Sequence, residues 1–196
     1  MERPVVARTR PDVGARAVGK LTRRTEDGTD ELVLALERTR GEDGRQWVRV
    51  RLPIRPVGST GWIPMSALEP LTTVRTWLRI DRRRLRATLI RSGRVVFRAR
   101  VGIGRARWPT PRGEFYIRNK FVGYPQGTVY GALAFGTSAK SEVLTDWPRG
   151  GIVGIHGTNR PDLLPGRVSH GCIRLRNRDI LRLARLMPVG TPVSIR

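Results

Sequence analysis

Apolar and charged residues alternate along Trp47-Val-Arg-Val-Arg-Leu52, the period of two that marks a strand with one buried and one wet face. Glu31-Leu-Val-Leu-Ala-Leu36 is also strand-like, and the turn-forming run Arg40-Gly-Glu-Asp-Gly-Arg45 separates the two. Pro53, Pro56, Gly58 and Gly61 punctuate a further turn before Gly61-Trp-Ile-Pro64 and a short coil at residues 65–68. Strands this short and closely spaced predict a small barrel over residues 14–71. Residues 1–13 read as a flexible lead-in, and Glu69-Pro-Leu-Thr-Thr-Val74 as a brief linker.

Beyond the linker the same alternation predicts strands at Trp77-Leu-Arg-Ile80, Arg86-Ala-Thr-Leu-Ile90 and Val95-Val-Phe-Arg-Ala-Arg-Val101. Ser92-Gly93 is the hairpin turn between the last two. Strand signals return at Glu114-Phe-Tyr-Ile-Arg118, Gly151-Ile-Val-Gly-Ile155 and residues 191–195. One helix is predicted, with Asn177 as its N-cap and Asp179 in its first turn. Ile180, Leu183, Ala184 and Met187 give it an apolar face, and Pro188 with Gly190 end it. The chain is therefore expected to be mainly β, in two domains, 14–71 and 74–196.

At 196 residues and 39% hydrophobic content both domains can bury a core. No apolar stretch approaches the ~18 residues of a membrane span. The first residues lack the apolar run of a signal peptide, so the protein is expected either to stay inside or to carry an export segment further upstream. Thirty-eight basic residues against sixteen acidic ones give a formal charge of +22, and only Lys20, Lys120 and Lys140 are lysine. A field this positive favours a polyanionic setting, whether nucleic acid, anionic membrane or acidic wall polymer. Biased codon usage explains arginine in place of lysine, though not the net excess. The arginines are scattered, so the charge names no partner.

Chemistry concentrates in one segment. Cys172 is the only cysteine, and both histidines, His156 and His170, lie within sixteen residues of it. A thiol is a strong nucleophile only as thiolate, and a neighbouring imidazole can take its proton. Three readings compete. The three side chains could ligate a metal with one open position, but no recognisable ligand spacing supports this. They could be satisfied structural residues, which is the default for any one of them alone. Their convergence, flanked by Gly157 and Gly171 that let backbone approach a ligand, favours a cysteine nucleophile.

Here a resemblance becomes specific. Ser169-His170-Gly171-Cys172-Ile173-Arg174-Leu175, preceded by Ile155-His156-Gly157-Thr158, resembles the signature of the L,D-transpeptidase catalytic domain, the YkuD family. Val101-Gly102-Ile-Gly104 with Thr110-Pro111-Arg112-Gly113-Glu114-Phe115, and Gly190-Thr-Pro-Val193, resemble other parts of that family's pattern. The likeness covers residues 74–196, and Pro165 is a small departure from it. Residues 47–71, with Gly61-Trp62-Ile63-Pro64 and Ala67-Leu68, resemble bacterial SH3-like domains. The resemblances imply an SH3-like barrel followed by a β-sandwich catalytic domain with one helix towards its C-terminal side. They also imply a peptidoglycan L,D-transpeptidase of the cell envelope, outside the cytoplasm. Cys172 would attack the third residue of a stem tetrapeptide and release D-alanine. The thioester would pass to an amine of another stem, making a 3→3 cross-link, or to water. His156 would carry the proton, held by the Gly157 carbonyl. Backbone N–H groups around His170, Gly171 and Cys172 would form the oxyanion hole. Carbapenem β-lactams would acylate Cys172, and no metal or cofactor is expected.

The residues themselves refine these roles. His170 is two positions from Cys172, and on an extended strand such side chains stand ~6–7 Å apart, too far for a hydrogen bond. That favours His156 as the base. Arg174 would share the face of Cys172 and orient substrate or loop. Ser169 is expected to bond loop backbone, and Tyr130 and Trp147 to line the cleft. Two rivals remain: a peptidase that trims stems with the same residues and water as acceptor, and a non-enzymatic nucleic-acid binder built on the barrel and the charge. The second leaves the thiol cluster unexplained, so no nucleic acid is expected; a monomer is.

Overall fold

The structure is a computed structural model that describes residues 4–122, 127–146 and 151–196. The chain divides into two compact units, residues 1–73 and 74–196. Trp147 lies outside the described residues. None of the described helices is long and apolar enough to cross a membrane.

The first unit contains β1 (Val5–Arg8), β2 (Ala17–Leu21), β3 (Leu34–Arg40), β4 (Gln46–Arg51) and β5 (Thr60–Pro64). They form an antiparallel sheet in the order β2-β1-β5-β4-β3. Strand β4 buries Val48 and Val50 on one face, where they join Ala7, Leu21, Leu52 and Ile63 in one apolar cluster, and Trp47 on the other. The flexible lead-in is corrected here. Val5 packs against that cluster, Ala7 is fully buried, and β1 lies between β2 and β5. The strand expected from residue 31 begins instead at Leu34, because Glu31 closes a turn through its N–H to the Arg23 carbonyl. Gly61 is required by close approach, since a Cβ there would stand 2.8 Å from the Ala7 methyl.

The second unit carries β6 (Thr76–Asp81), β7 (Arg86–Arg91), β8 (Arg94–Arg100), β9 (Gly102–Gly104), β10 (Gly113–Val122), β11 (Leu133–Lys140), β12 (Ile152–His156), β13 (Gly166–Ser169), β14 (Ile173–Arg174), α1 (Asn177–Leu186) and β15 (Pro192–Ile195). Its strands run in the order β13-β9-β14-β12-β11-β10-β15-β6-β7-β8. The long strand β10 serves two halves: residues 113–116 pair with β15, and pairing with β11 starts at Ile117, with a register shift between Ile117 and Asn119. Helix α1 packs against both β8 and β11, strands with four others between them in the order, so the sheet curls around it. Ile180 and Leu183 are the helix side chains buried there.

Strand β11 was not expected. It is buried on both faces and reads Leu-Ala-Phe-Gly-Thr-Ser-Ala-Lys, without alternation. The helix boundary also shifts: Arg176 is the N-cap and Asn177 the first helical residue, because the Asn177 side chain is engaged elsewhere.

The place of β1 in the first core gives a direct test. Ala7→Asp puts a carboxylate at a fully buried position and should lower stability by about 3 kcal/mol or more, read as the denaturation midpoint of the first unit. Were residues 1–13 a loose lead-in, the change would be silent.

Candidate active site

Strand β12 lies between β11, which pairs with it antiparallel, and β14, which pairs with it parallel. The parallel register sets Ile155 beside Ile173 and His156 beside Arg174. Ile155 and Ile173 are fully buried on one face, so His156 and Arg174 share the other. Cys172 directly precedes β14, and the Gly154 N–H donates to its Sγ over 3.3 Å.

Gly154 decides how close Cys172 and His156 come. A Cβ at this position would stand 3.8 Å from Cys172 Sγ and 3.9 Å from Cδ2 of His156. The sulfur and the imidazole edge that bears Nε2 therefore border the same space. A glycine within an apolar strand signals such an approach, so the sequence held this clue.

The imidazole is fixed from behind. Nδ1 of His156 lies 2.6 Å from the Gly157 carbonyl oxygen. A carbonyl only accepts, so Nδ1 carries the proton and Nε2 is left with a lone pair. The ring of Tyr130 meets that of His156 edge-on, with centroids 5.2 Å apart. Asn177 steadies the Gly157 backbone: its Oδ1 accepts from the N–H groups of Ala132 (3.2 Å) and Thr158 (3.1 Å). A Cβ on Gly157 would fall 2.3 Å from that oxygen, which requires glycine there.

Two hydroxyls hold the loop that presents the thiol. Ser169 is fully buried; its Oγ donates to the Cys172 carbonyl (2.5 Å) and accepts from the Gly171 N–H (3.1 Å). Thr110 donates to the Gly171 carbonyl (2.7 Å) and accepts from the Gly104 N–H (2.9 Å). Gly171 has φ of +121°, a conformation side chains resist. Its N–H, expected among the oxyanion donors, is committed to Ser169 in this structure. Thr110 and Asn177 are positioning residues whose roles the sequence did not disclose.

The remaining expected residues separate. His170 is exposed and lies against Trp108, ring centroids 4.1 Å apart and planes tilted by 39°, with Arg107 over the Trp108 ring at 4.8 Å. Among the described residues no cluster of His, Cys, Asp and Glu has the geometry to hold a metal ion.

Electrostatics keep the pair neutral at rest. Burial pushes the Cys172 thiol up, opposed by the Gly154 N–H and by the charge of Arg174. Burial first, and Arg174 in addition, lower His156 to about 4, against the pull of the Gly157 carbonyl. At neutral pH the structure therefore holds a thiol beside an unprotonated imidazole whose lone pair is available. The arrangement can pass the thiol proton to Nε2 and release a thiolate, the competence of a cysteine acyl-transfer centre.

Comparison with known proteins gives that class a family. Residues 75–195 match the family model of the L,D-transpeptidase catalytic domain, YkuD, and the chain belongs to this family. It is 40% identical over 95 residues to a putative L,D-transpeptidase YkuD of Bacillus licheniformis, a match covering 48% of this chain and 50% of that protein. The chain spans about half the length of the curated relatives it matches. Among solved structures, an L,D-transpeptidase from Mycobacterium tuberculosis H37Rv shares the fold with a TM-score of 0.53 at 15% identity, over 84% of this chain and 92% of that one. L,D-transpeptidase 3 from Mycobacterium tuberculosis, in complex with a faropenem-derived adduct, has a TM-score of 0.50 at 16% identity, over 78% and 91%.

Two outcomes follow from this geometry. His156 is held below its ordinary value of 6.5, so the unfolded chain binds the extra proton first. The stability contributed by keeping it neutral is present above pH 6.5 and is lost as pH falls towards 4, by about 3 kcal/mol in all. Denaturation across that range should show this slope, and His156→Gln should flatten it. Asn177→Ala should slow thiol acylation by about tenfold or more through imidazole misplacement, with the folded structure retained by circular dichroism.

Proposed function

We propose that this chain is a peptidoglycan L,D-transpeptidase, and the observation that carries the reading is the Cys172 sulfur and the His156 imidazole edge bordering one space over Gly154. Nε2 takes the thiol proton as Sγ attacks the carbonyl of the third stem residue, a diamino acid. The tetrahedral intermediate collapses with loss of D-alanine, whose amine receives the proton from His156. The thioester is then attacked by a side-chain amine of a second stem, giving the 3→3 cross-link and the free thiol. Water at that step gives a trimmed stem instead. With the Gly171 N–H engaged by Ser169, the Cys172 N–H is read as the oxyanion donor. Arg174 orients the substrate: its Nε is buried without a hydrogen-bond partner among the described residues, and a stem carboxylate suits it. Tyr130, half-exposed beside His156, lines the donor side.

The five-stranded first unit is read as an SH3-like module, supported by its antiparallel order and by Gly61-Trp-Ile-Pro64 in β5. The substrate places the protein outside the cytoplasm, in the envelope. Susceptibility to β-lactams is supported by the faropenem-derived adduct on the mycobacterial enzyme with the same fold.

Intact mass after incubation with a carbapenem tests the reading. One adduct per chain is expected, none in Cys172→Ala, and acylation slower by about 10²-fold or more in His156→Gln. A folded protein with a titratable thiol and no adduct would sink it. Product analysis with a tetrapeptide donor, with and without a diamino acceptor, separates transfer from hydrolysis: a new amide should form only when the amine is present.

A further inference from the structure

The β7–β8 register sets Arg86 directly opposite Arg100, and Arg98 opposite Thr88. Like charges facing one another weaken a ladder. No carboxylate among the described residues pairs with Arg86, Arg98 or Arg100. These three arginines line a groove of about 420 Å³ with Arg176, Arg178 and Asp179. Asp179 is the single acid there, 3.8 Å from Arg178 Nε. Arg176 and Arg178 also line an adjoining hollow with Pro161 and Asp162, whose carboxylate is already taken by Arg160 at 2.8 Å. A positive track therefore runs from β8, past the first turn of α1, to the connection between His156 and Cys172.

Charge on an exposed edge strand guards against unwanted pairing. That accounts for Arg98 and Arg100 on β8, but not for Arg86 on the interior strand β7, nor for Arg176 and Arg178 from the helix end. Five guanidinium groups facing one carboxylate exceed what a single anionic group neutralises, and two joined hollows suit a ligand with repeated charge. Guanidinium forks match phosphate oxygens two at a time, and a phosphodiester stays ionised at neutral pH. Among the described residues the lining contains no aromatic side chain on which bases would stack, which disfavours single-stranded nucleic acid.

We propose that this groove is a docking site for a linear polyphosphodiester, which holds the second unit on an anionic polymer. The probe is a fluorescent poly(glycerol phosphate) oligomer, titrated by anisotropy against the full chain. Wild type should bind it with an affinity that falls steeply with added salt. Arg98→Gln/Arg100→Gln/Arg178→Gln should weaken binding by about tenfold or more at about 0.15 M ionic strength. A control that removes equal charge from the first unit, Arg23→Gln/Arg38→Gln/Arg40→Gln, should change it by less than about threefold. The groove variant should keep its melting temperature, since loss of Arg100 relieves the repulsion with Arg86. It should also acylate with a carbapenem at the wild-type rate, so the catalytic site is read separately. Equal loss in the control would assign the effect to bulk charge and overturn the proposal. So would absence of wild-type binding, a lower melting temperature in the groove variant, or equally tight, groove-dependent binding of polyglutamate or of an oligonucleotide of matched charge.

Discussion

The parallel pairing of β12 with β14 is the constraint on which the rest of the site depends. It joins segments that are distant in the chain and brings Cys172 alongside Gly154, two residues before His156. Parallel partners in register point the same way, so the pairing sets the imidazole, the thiol and the guanidinium of Arg174 on one face. A one-residue slip would turn His156 towards the side now held by Ile155 and bring Ile155 to the face of Cys172. The fully buried Ile155 and Ile173 on the opposite face are what forbid that slip.

Around this pairing the protein builds a fixed frame. Ser169 and Thr110 bond both sides of the Gly171 peptide unit, while Asn177 fastens the backbone behind His156. Each support comes from a different element, and none needs to touch a substrate. The frame places the charge of Arg174 where it stabilises a thiolate and destabilises an imidazolium. The single cation therefore lowers the proton affinity of both groups.

Much of this was legible because local pattern and chemistry agreed. The β6–β7–β8 strands show clean alternation and a hairpin turn at Ser92 and Gly93, both at positive φ. The histidine and cysteine motifs stand out because this chain has so few of either residue. What escaped depended on tertiary context. β11 is covered on both faces and is made partly of small residues, so no periodicity marks it. β1 is only four residues long at the start of the chain, where frayed ends are the ordinary expectation. Asn177 sits where an N-cap belongs, yet its amide oxygen serves a loop some forty residues earlier. Spacing along the chain reveals which groups can react, but not which ones steady them.

The protonated resting state of Cys172 has a consequence for durability. Peroxides and alkylating agents attack thiolates far faster than thiols. A sulfur that desolvation holds as the thiol offers such reagents little thiolate at neutral pH. With no second cysteine in the chain to form a protective disulfide, desolvation acts as the antioxidant.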